Sequence, residues 1–451
     1  MLQASQKLAV IADDLTGAND TGVQFSKHGI STIVVFQLDA LESAAEKADV
    51  VVVNTDSRLC APRSAYYWVR LAAEALKKMG ISRIYKKIDS AFRGNIGAEL
   101  DGAMDAFGAL ASFVVPAFPG AGRVTIGGRQ FLGDIPLGES EVACDILTPV
   151  TESHIPTLLA RQTTRRISHV PIETVRLGFP ALRNTFSDMI EDGAEILVVD
   201  AITDDDLVCI AQSICALDCL TIMAGSAGLA SKIPQILGIT ERDVHWEADE
   251  QNSGVMTVVG SISPTVKEQV DYAVHTLGLH NIVLDPNEML SDFDLAEAET
   301  KKIVNEAARH LGSGSDIIIS LSSLHSDCAV TTCADTISCA PDISSVSYLE
   351  DSRKIARYLG HICKATLNVS SVAGLVLTGG DTALAVCKCL GAVGVSLVDE
   401  VVPGVPFGHL VGGPHSGMMI VTKAGSFGRE DTIVRSINHL HHVFATGQTI
   451  R

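Results

Sequence analysis

The stretch LAVIADDLTGAND at residues 8–20 constrains the fold more than any other part of this chain. Leu8 to Ile11 are apolar without alternation and Gly17 soon breaks the run, the pattern of a short strand buried on both faces. The strand meets two acids, Asp13 and Asp14, before Thr16, Gly17 and Ala18 lead into a helix carrying Asp20, Val23 and Phe25. Strand, acids and helix in that order open an α/β unit and set the acids at the carboxyl end of a strand, where open α/β sheets bind ligands. One aspartate suffices as a helix N-cap. The second has no such duty, so at least one of the pair is expected to meet a ligand or a metal.

The rhythm then repeats. Ser31 to Phe36 reads as a second strand, and Val50 to Asn54 as a third that runs into Thr55, Asp56, Ser57 and Arg58. After a helix whose Val69, Leu71, Ala72, Ala75 and Leu76 fall at helical spacing, Arg83 to Ile88 reads as a fourth strand, ending at Asp89 and Ser90. Right-handed βαβ connections bring such carboxyl ends to one edge. Asp13, Asp14, Arg58, Lys87, Asp89, Ser90 and Arg93 are therefore expected to share a polar site, although each alone would pass for a cap or a surface ion pair of little energetic weight. Residues 116–137, PAFPGAGRVTIGGRQFLGDIPL, suit either a functional loop or a hairpin turning at Gly127-Gly128. The Gly225-Ser226-Ala227-Gly228 turn suits an anion cradle or close strand-to-helix packing equally well.

A length of 451 residues exceeds what one hydrophobic core usually serves. The polar, acidic segment ERDVHWEADEQNSG is the natural linker, so the division expected is 1–240, a linker at 241–254, and 255–451. With 47% hydrophobic residues, only 5% aromatic and 38 Gly, the composition suits two α/β domains with mainly parallel sheets flanked by helices, the active site lying in the interdomain cleft. A formal charge of −19 argues against nucleic acid or an anionic membrane as partner, and means that an anionic substrate needs cations within its site. No basic region followed by an apolar core opens the chain, and no apolar run approaches the roughly 20 residues that span a bilayer, so a soluble cytoplasmic protein is expected. The 11 Cys are scattered through apolar segments like small core residues rather than a disulfide frame. The histidines of the final HLHHVFATGQTIR are expected to face solvent, and a homo-oligomer remains open.

A second α/β unit opens at Val255 to Val259 and reaches Gly260-Ser261-Ile262-Ser263-Pro264 before a helix. Ile317 to Leu321 is a strand ending in Ser322 and Ser323, and Leu375 to Leu377 is another, ending in Thr378-Gly379-Gly380-Asp381-Thr382 before an apolar helix from Ala383. With Lys423-Ala424-Gly425-Ser426-Phe427-Gly428, this half holds three glycine-bearing turns. At strand-to-helix turns, backbone N–H groups and the positive end of the helix dipole can meet a phosphate. The first two turns lack the Walker and dinucleotide patterns. Such turns in one half, and acids with cations in the other, suggest a nucleotide and a small polar substrate, the two reactants of phosphoryl transfer.

ADDLTGAND at 12–20, NTDSR at 54–58, KKIDSAFRGNIGAEL at 86–100, PAFPGAGR at 116–123, GSISP at 260–264, TGGDTA at 378–383, PGVPFG at 403–408 and KAGSFG at 423–428 together resemble the four-carbon acid sugar kinases, which phosphorylate D-threonate, D-erythronate or 3-oxotetronate with ATP. The resemblance spans both halves in order. It implies a sugar-acid domain followed by a nucleotide domain, with Asp13 or Asp14, Arg58 and Lys87 to Ser90 for the acid. It implies Ser261, Gly380 to Thr382, Gly404 and Lys423 to Ser426 for ATP, beside Ser263 and Gly379 of the same turns. The reaction expected is ATP-dependent phosphorylation of the terminal hydroxyl of a four-carbon acid, D-threonate first, with D-erythronate or 3-oxotetronate as alternatives and a non-catalytic sugar-acid sensor as the rival. Mg²⁺ is expected to bridge the phosphates, its protein ligands unassigned. Asp89, Asp14 and Asp381 are the candidates to accept the hydroxyl proton, and Asp381 could instead hold the metal or the nucleotide. Arg58, with its planar fork, is the expected carboxylate anchor. An aspartyl-phosphate phosphatase would need Asp-x-Asp, whereas Asp13 and Asp14 are adjacent.

Overall fold

The computed structural model describes residues 7–145, 147–236, 253–290, 293–322, 345–425 and 427–446. The expected linker lies outside these residues except for its last two positions, and so do Ser323 and Ser426. The chain separates into two compact units, one up to residue 242 and one from residue 243.

In the first unit the apolar runs become β1 (Leu8–Ala12), β2 (Thr32–Val35), β3 (Val50–Asn54), β4 (Arg83–Lys87) and β5 (Ala111–Val115). After an antiparallel insertion of β6 (Arg123–Ile126), β7 (Arg129–Leu132) and β8 (Ile135–Pro136), the unit continues with β9 (Ile167–Val170), β10 (Ile196–Val199) and β11 (Thr221–Gly225). The large sheet runs β2-β3-β1-β4-β11-β5-β10-β9. Its strands pair in parallel, with Ala12 beside Asn54 and Ile11 beside Lys86. The chain leaves β1 for β2 and β3 on one side and for β4 on the other, so the end of β1 is a topological switch point, where such sheets take ligands. Every residue of β1, β3 and β5 is buried, which explains the unalternating apolar pattern.

The glycine-rich stretch is the hairpin. Gly127 and Gly128 have φ of +59° and +70°, as a two-residue turn between β6 and β7 requires, and their N–H groups donate to the two oxygens of buried Asp200 at 2.7 and 2.9 Å. The Gly225–Gly228 turn is settled as packing: a Cβ on Gly225 would stand 2.6 Å from Tyr85 Oη, and one on Gly228 would stand 2.7 Å from Ala117 O.

The second unit contains β12 (Val255–Val259), β13 (His280–Leu284), β14 (Ile317–Leu321), β15 (Gly374–Thr378), β16 (Gly394–Val402), β17 (Val405–Val411) and β18 (Met419–Lys423), in the order β13-β14-β12-β15-β18-β17-β16. The first five of that order are parallel, and β17 runs antiparallel to both its neighbours. Helices Pro264–Leu277 and Thr432–Thr446 close one core around Val259, Val270, Phe407, Val421 and Ile437. The closing histidines do not all face solvent: His439 is buried edge-on against Phe407, His441 bonds Asp316 at 2.8 Å, and His442 alone of the three is exposed. Cys60, Cys209, Cys215, Cys219, Cys363, Cys387 and Cys389 are free thiols, whereas Cys144 is disulfide-bonded. No helix among the described residues is long and apolar enough to cross a membrane.

Candidate active site

Three neighbouring strand ends of the first unit deliver one cluster of charge. Asp14 caps helix Leu15–Ser26, its Oδ1 accepting from Gly17 N at 3.0 Å, while Asp13 points inward and is buried. Arg58, just beyond β3, grips both acids. Its Nε and Nη2 donate to Asp13 at 2.7 and 3.0 Å, and its Nη1 and Nη2 donate to Asp14 at 3.0 and 2.6 Å. Gly94 makes room for that arginine: it sits at φ +95° with the position of its missing Cβ 3.1 Å from Arg58 Cγ. Burial pushes the Asp13 carboxyl up, but Arg58, Lys86 and Lys87 outweigh it and leave the group below its ordinary range.

Lys87 ends β4 beside this pair. A Cβ on Gly17 would lie 2.6 Å from both Asp14 Oδ1 and Lys87 Nζ, so only glycine lets the ammonium approach the first turn of the helix. Lys87 is buried, and no hydrogen bond or ion pair holds its ammonium among the described residues. Asp89 accepts from Arg93 Nε at 2.5 Å, and Arg93 also reaches Asp145 at 3.5 Å. Burial opposes the Asp89 charge, yet Arg93, Arg58 and Lys87 hold its carboxyl far below the usual range. Ser90 is buried and its carbonyl accepts from Gln130 Nε2 at 2.9 Å. All seven residues expected in the acid site thus stand at the carboxyl edge of β1, β3 and β4.

Beneath them lies a layer that sequence reasoning missed. Lys86 and Glu99 form a wholly buried pair at 2.8 Å, Ser57 Oγ lies 2.5 Å from Glu99 Oε1, and Asn95 Nδ2 donates to the carbonyls of Ser57, Arg58 and Cys60. KKIDSAFRGNIGAEL carries three of these residues, and a charged Lys86 inside a buried strand was the available signal.

In the second unit the three glycine turns converge at the ends of adjacent β12, β15 and β18. A Cβ on Gly260 would collide with Thr382 Oγ1, one on Gly425 would collide with Ser261 Oγ, and Gly379, at φ +101°, faces Ser261 N. Ser263 caps helix Pro264–Leu277 and its hydroxyl also donates to Gly425 O at 3.1 Å. Gly379 precedes helix Gly380–Cys389, which carries Asp381 in its exposed first turn and the buried Thr382. Gly404, at φ +79° between β16 and β17, lies against Phe427, whose ring would stand 2.5 Å from a Cβ there. Lys423 is buried with its ammonium turned into the following loop, donating to the carbonyls of Ala424, Gly425 and Phe427 at 2.8, 3.1 and 3.0 Å. Burial pulls it down to about 7.

His280, Glu306 and His310 also gather on the second unit. The two rings stack at 3.9 Å and 16°, so their in-plane lone pairs run parallel instead of converging, and Glu306 already holds His280 at 2.6 Å. That arrangement is a hydrogen-bonded stack.

Comparison with known proteins matches both units. A family described as a sugar-binding N-terminal domain matches residues 8–233, and one described as a nucleotide-binding C-terminal domain matches residues 256–433. The D-threonate kinase of Salmonella typhimurium is 34% identical over 97% of this chain and 99% of its own. The D-erythronate kinase of Heliobacterium modesticaldum is 32% identical over 96% of this chain and 97% of its own. The fold is shared with a crystal structure from Haemophilus influenzae, 22% identical with a TM-score of 0.71, which covers 97% of this chain and 100% of that one. With both halves matched and identity above 30% along nearly the whole length, the chain belongs to the four-carbon acid sugar kinase family.

Proposed function

We propose that the chain transfers the γ-phosphoryl group of ATP to the terminal 4-hydroxyl of a four-carbon sugar acid, D-threonate being the first substrate to test and D-erythronate and 3-oxotetronate the alternatives. The sugar acid is assigned to residues 1–240 and the nucleotide to 255–451, joined by 241–254. One observation carries the acid half: Lys87 is a mostly buried side chain whose ammonium makes no hydrogen bond or ion pair among the described residues and stands beside Asp14 at the sheet edge. A cation at a strand-end site without an ion-pair partner among the described residues favours an anionic ligand. Arg58 has four N–H contacts with Asp13 and Asp14, leaving one of its five donors, so the anchor role expected of Arg58 passes chiefly to Lys87, with Arg58 assisting. Asp13, Asp14 and Ser90 then offer acceptors and a donor to the hydroxyl groups of the acid.

On the nucleotide side, Ser261, Ser263, Gly379, Gly380, Thr382, Gly404, Ala424, Gly425 and Ser426 are assigned to ATP, with Lys423 shaping the loop. Gly260 and Gly425 let the turns pack against Thr382 and Ser261, and Gly379, at φ +101° with nothing closer than 3.5 Å to its missing Cβ, leaves open backbone that suits a phosphate cradle. Asp381 offers the hard oxygen that suits Mg²⁺, which when bound neutralises charge on the phosphates. Phosphoryl transfer demands positioning more than a strong base. Asp89, pinned as an anion by Arg93, is a weak proton acceptor and serves to orient; Asp14, half-buried at the switch point, is the better acceptor for the hydroxyl proton. A coupled ADP-release assay across threonate, erythronate and 3-oxotetronate stereoisomers tests the assignment, and turnover of none of them refutes it.

A further inference from the structure

The layer beneath the acid site contains a hydrogen-bond chain with one hydrogen too few. Thr55 Oγ1 lies 2.9 Å from Ala12 O and 2.7 Å from Ser57 Oγ, and Ser57 Oγ lies 2.5 Å from Glu99 Oε1. Three oxygen–oxygen contacts at these distances need three hydrogens between them. The carbonyl of Ala12 has none, and the two hydroxyls supply one each. Ionised, Glu99 would leave one contact as two oxygens facing each other without a proton between them. Protonated, it donates to Ser57, Ser57 donates to Thr55, Thr55 donates to Ala12 O, and every contact is satisfied.

We propose that Glu99 is held as the neutral acid and, by giving the buried cluster a surplus of cations, is the positioning residue that sets the site to receive the substrate's carboxylate. This rests on the acid-site reading above. The titratable groups facing Glu99 are Lys86 from β4 and Asp13 from β1. Burial and the Asp13 charge both push its carboxyl up, and Lys86, 2.8 Å from Oε2, opposes them. The buried groups of the cluster are Arg58, Lys86 and Lys87 against Asp13, Asp89 and Glu99, while Arg93, Asp14 and Asp145 stand at its more exposed rim. With Glu99 ionised the buried acids equal the cations and an incoming carboxylate is unmatched; with it neutral, one positive charge is left for the substrate. The chain also joins β1, β3, β4 and helix Ile96–Phe107, so Glu99 acts on Arg58 and Lys87 through their neighbours Ser57 and Lys86 without touching the acid.

Infrared difference spectroscopy of the full-length wild type against Glu99→Gln tests this directly. A protonated-carboxyl C=O band is expected in the wild type near neutral pH and is expected to be lost in the variant. If E99Q does not fold, Ser57→Ala replaces it, and the band is expected to shift as its acceptor is removed. Where alkaline titration removes the band, the wild-type KM for the sugar acid is expected to rise at least severalfold through that same pH while that of E99Q does not follow it. Absence of the band near neutral pH, a band insensitive to both substitutions, or loss of the band with no change in KM overturns the proposal. The infrared result stands whichever acid is the substrate, so failure of the kinase assay alone would strike the functional reading and not the proton on Glu99.

Discussion

At the residue scale, the decisive contrast is between Arg58 and Lys87. Both are cations at strand ends, but Arg58 is the hydrogen-bonded counter-ion of two aspartates, whereas Lys87 makes no ion pair among the described residues. Arg58→Ala takes from buried Asp13 its hydrogen-bonded counter-ion and leaves only the charges of Lys86 and Lys87, so it is expected to lower stability by up to about 3–5 kcal/mol as well as weaken the sugar acid. Asp13→Asn in the same chain should return part of the stability, read by denaturant melts, and none of the affinity. Lys87→Met removes a cation that makes no ion pair among the described residues but helps keep Asp13 and Asp89 ionised, so stability should change little while KM for the sugar acid climbs roughly tenfold to a few hundredfold, the loss of about 1.5–3 kcal/mol. A Lys87→Met enzyme with unchanged KM removes the anchor from the scheme. Asp381 behaves differently again. Its place in the first turn of helix Gly380–Cys389 is worth about 1 kcal/mol as a capping or dipole contact, so Asp381→Asn should barely move the melt yet lower kcat by orders of magnitude if it meets the metal.

At the scale of elements, the proposed nucleotide site is three turns fitted against one another. Because a methyl on Gly260 runs into Thr382, Gly260→Ala must push helix Gly380–Cys389 off the end of β12. The expected result is a KM for ATP raised tenfold or more with the KM for the sugar acid nearly unchanged, measured in the same coupled assay. Equal loss for both substrates would mean that the turn supports the whole fold and not the nucleotide. These turns were legible in the sequence as Gly-Ser and Thr-Gly-Gly-Asp strings after apolar runs, because glycine at a strand end has few other causes. The strand before Lys423 was not read. β16 carries Asp399 and Glu400 within a long strand antiparallel to β17, and β9 leaves three of its four positions partly exposed, so neither matches the solid apolar run of a central parallel strand.

At the scale of the whole molecule, buried titratable groups set the pH dependence of stability. Burial holds His439 at about 4, below its ordinary 6.5. The unfolded chain therefore takes up a proton that the folded one refuses: this stability is full above 6.5 and is lost as pH falls from there through about 4. Replacing His439 with Leu, which cannot titrate against Phe407, should flatten that acid limb in melts followed by circular dichroism. An unchanged limb would assign the loss to the carboxylates around Arg58. Glu99 works in the opposite direction, its stabilising proton being lost as pH rises from the ordinary 4.5 through its raised value. What the sequence by itself determined was the α/β rhythm, the acids and cations at successive strand ends, and the glycine turns, since local periodicity and chain reversal are written in adjacent residues. Only the tertiary structure decided which charges belong to one another. Asp13 and Arg58 lie 45 residues apart and Lys86 and Glu99 meet across a strand and a helix, and the choice among possible partners is made by sheet order and burial, which no local pattern encodes.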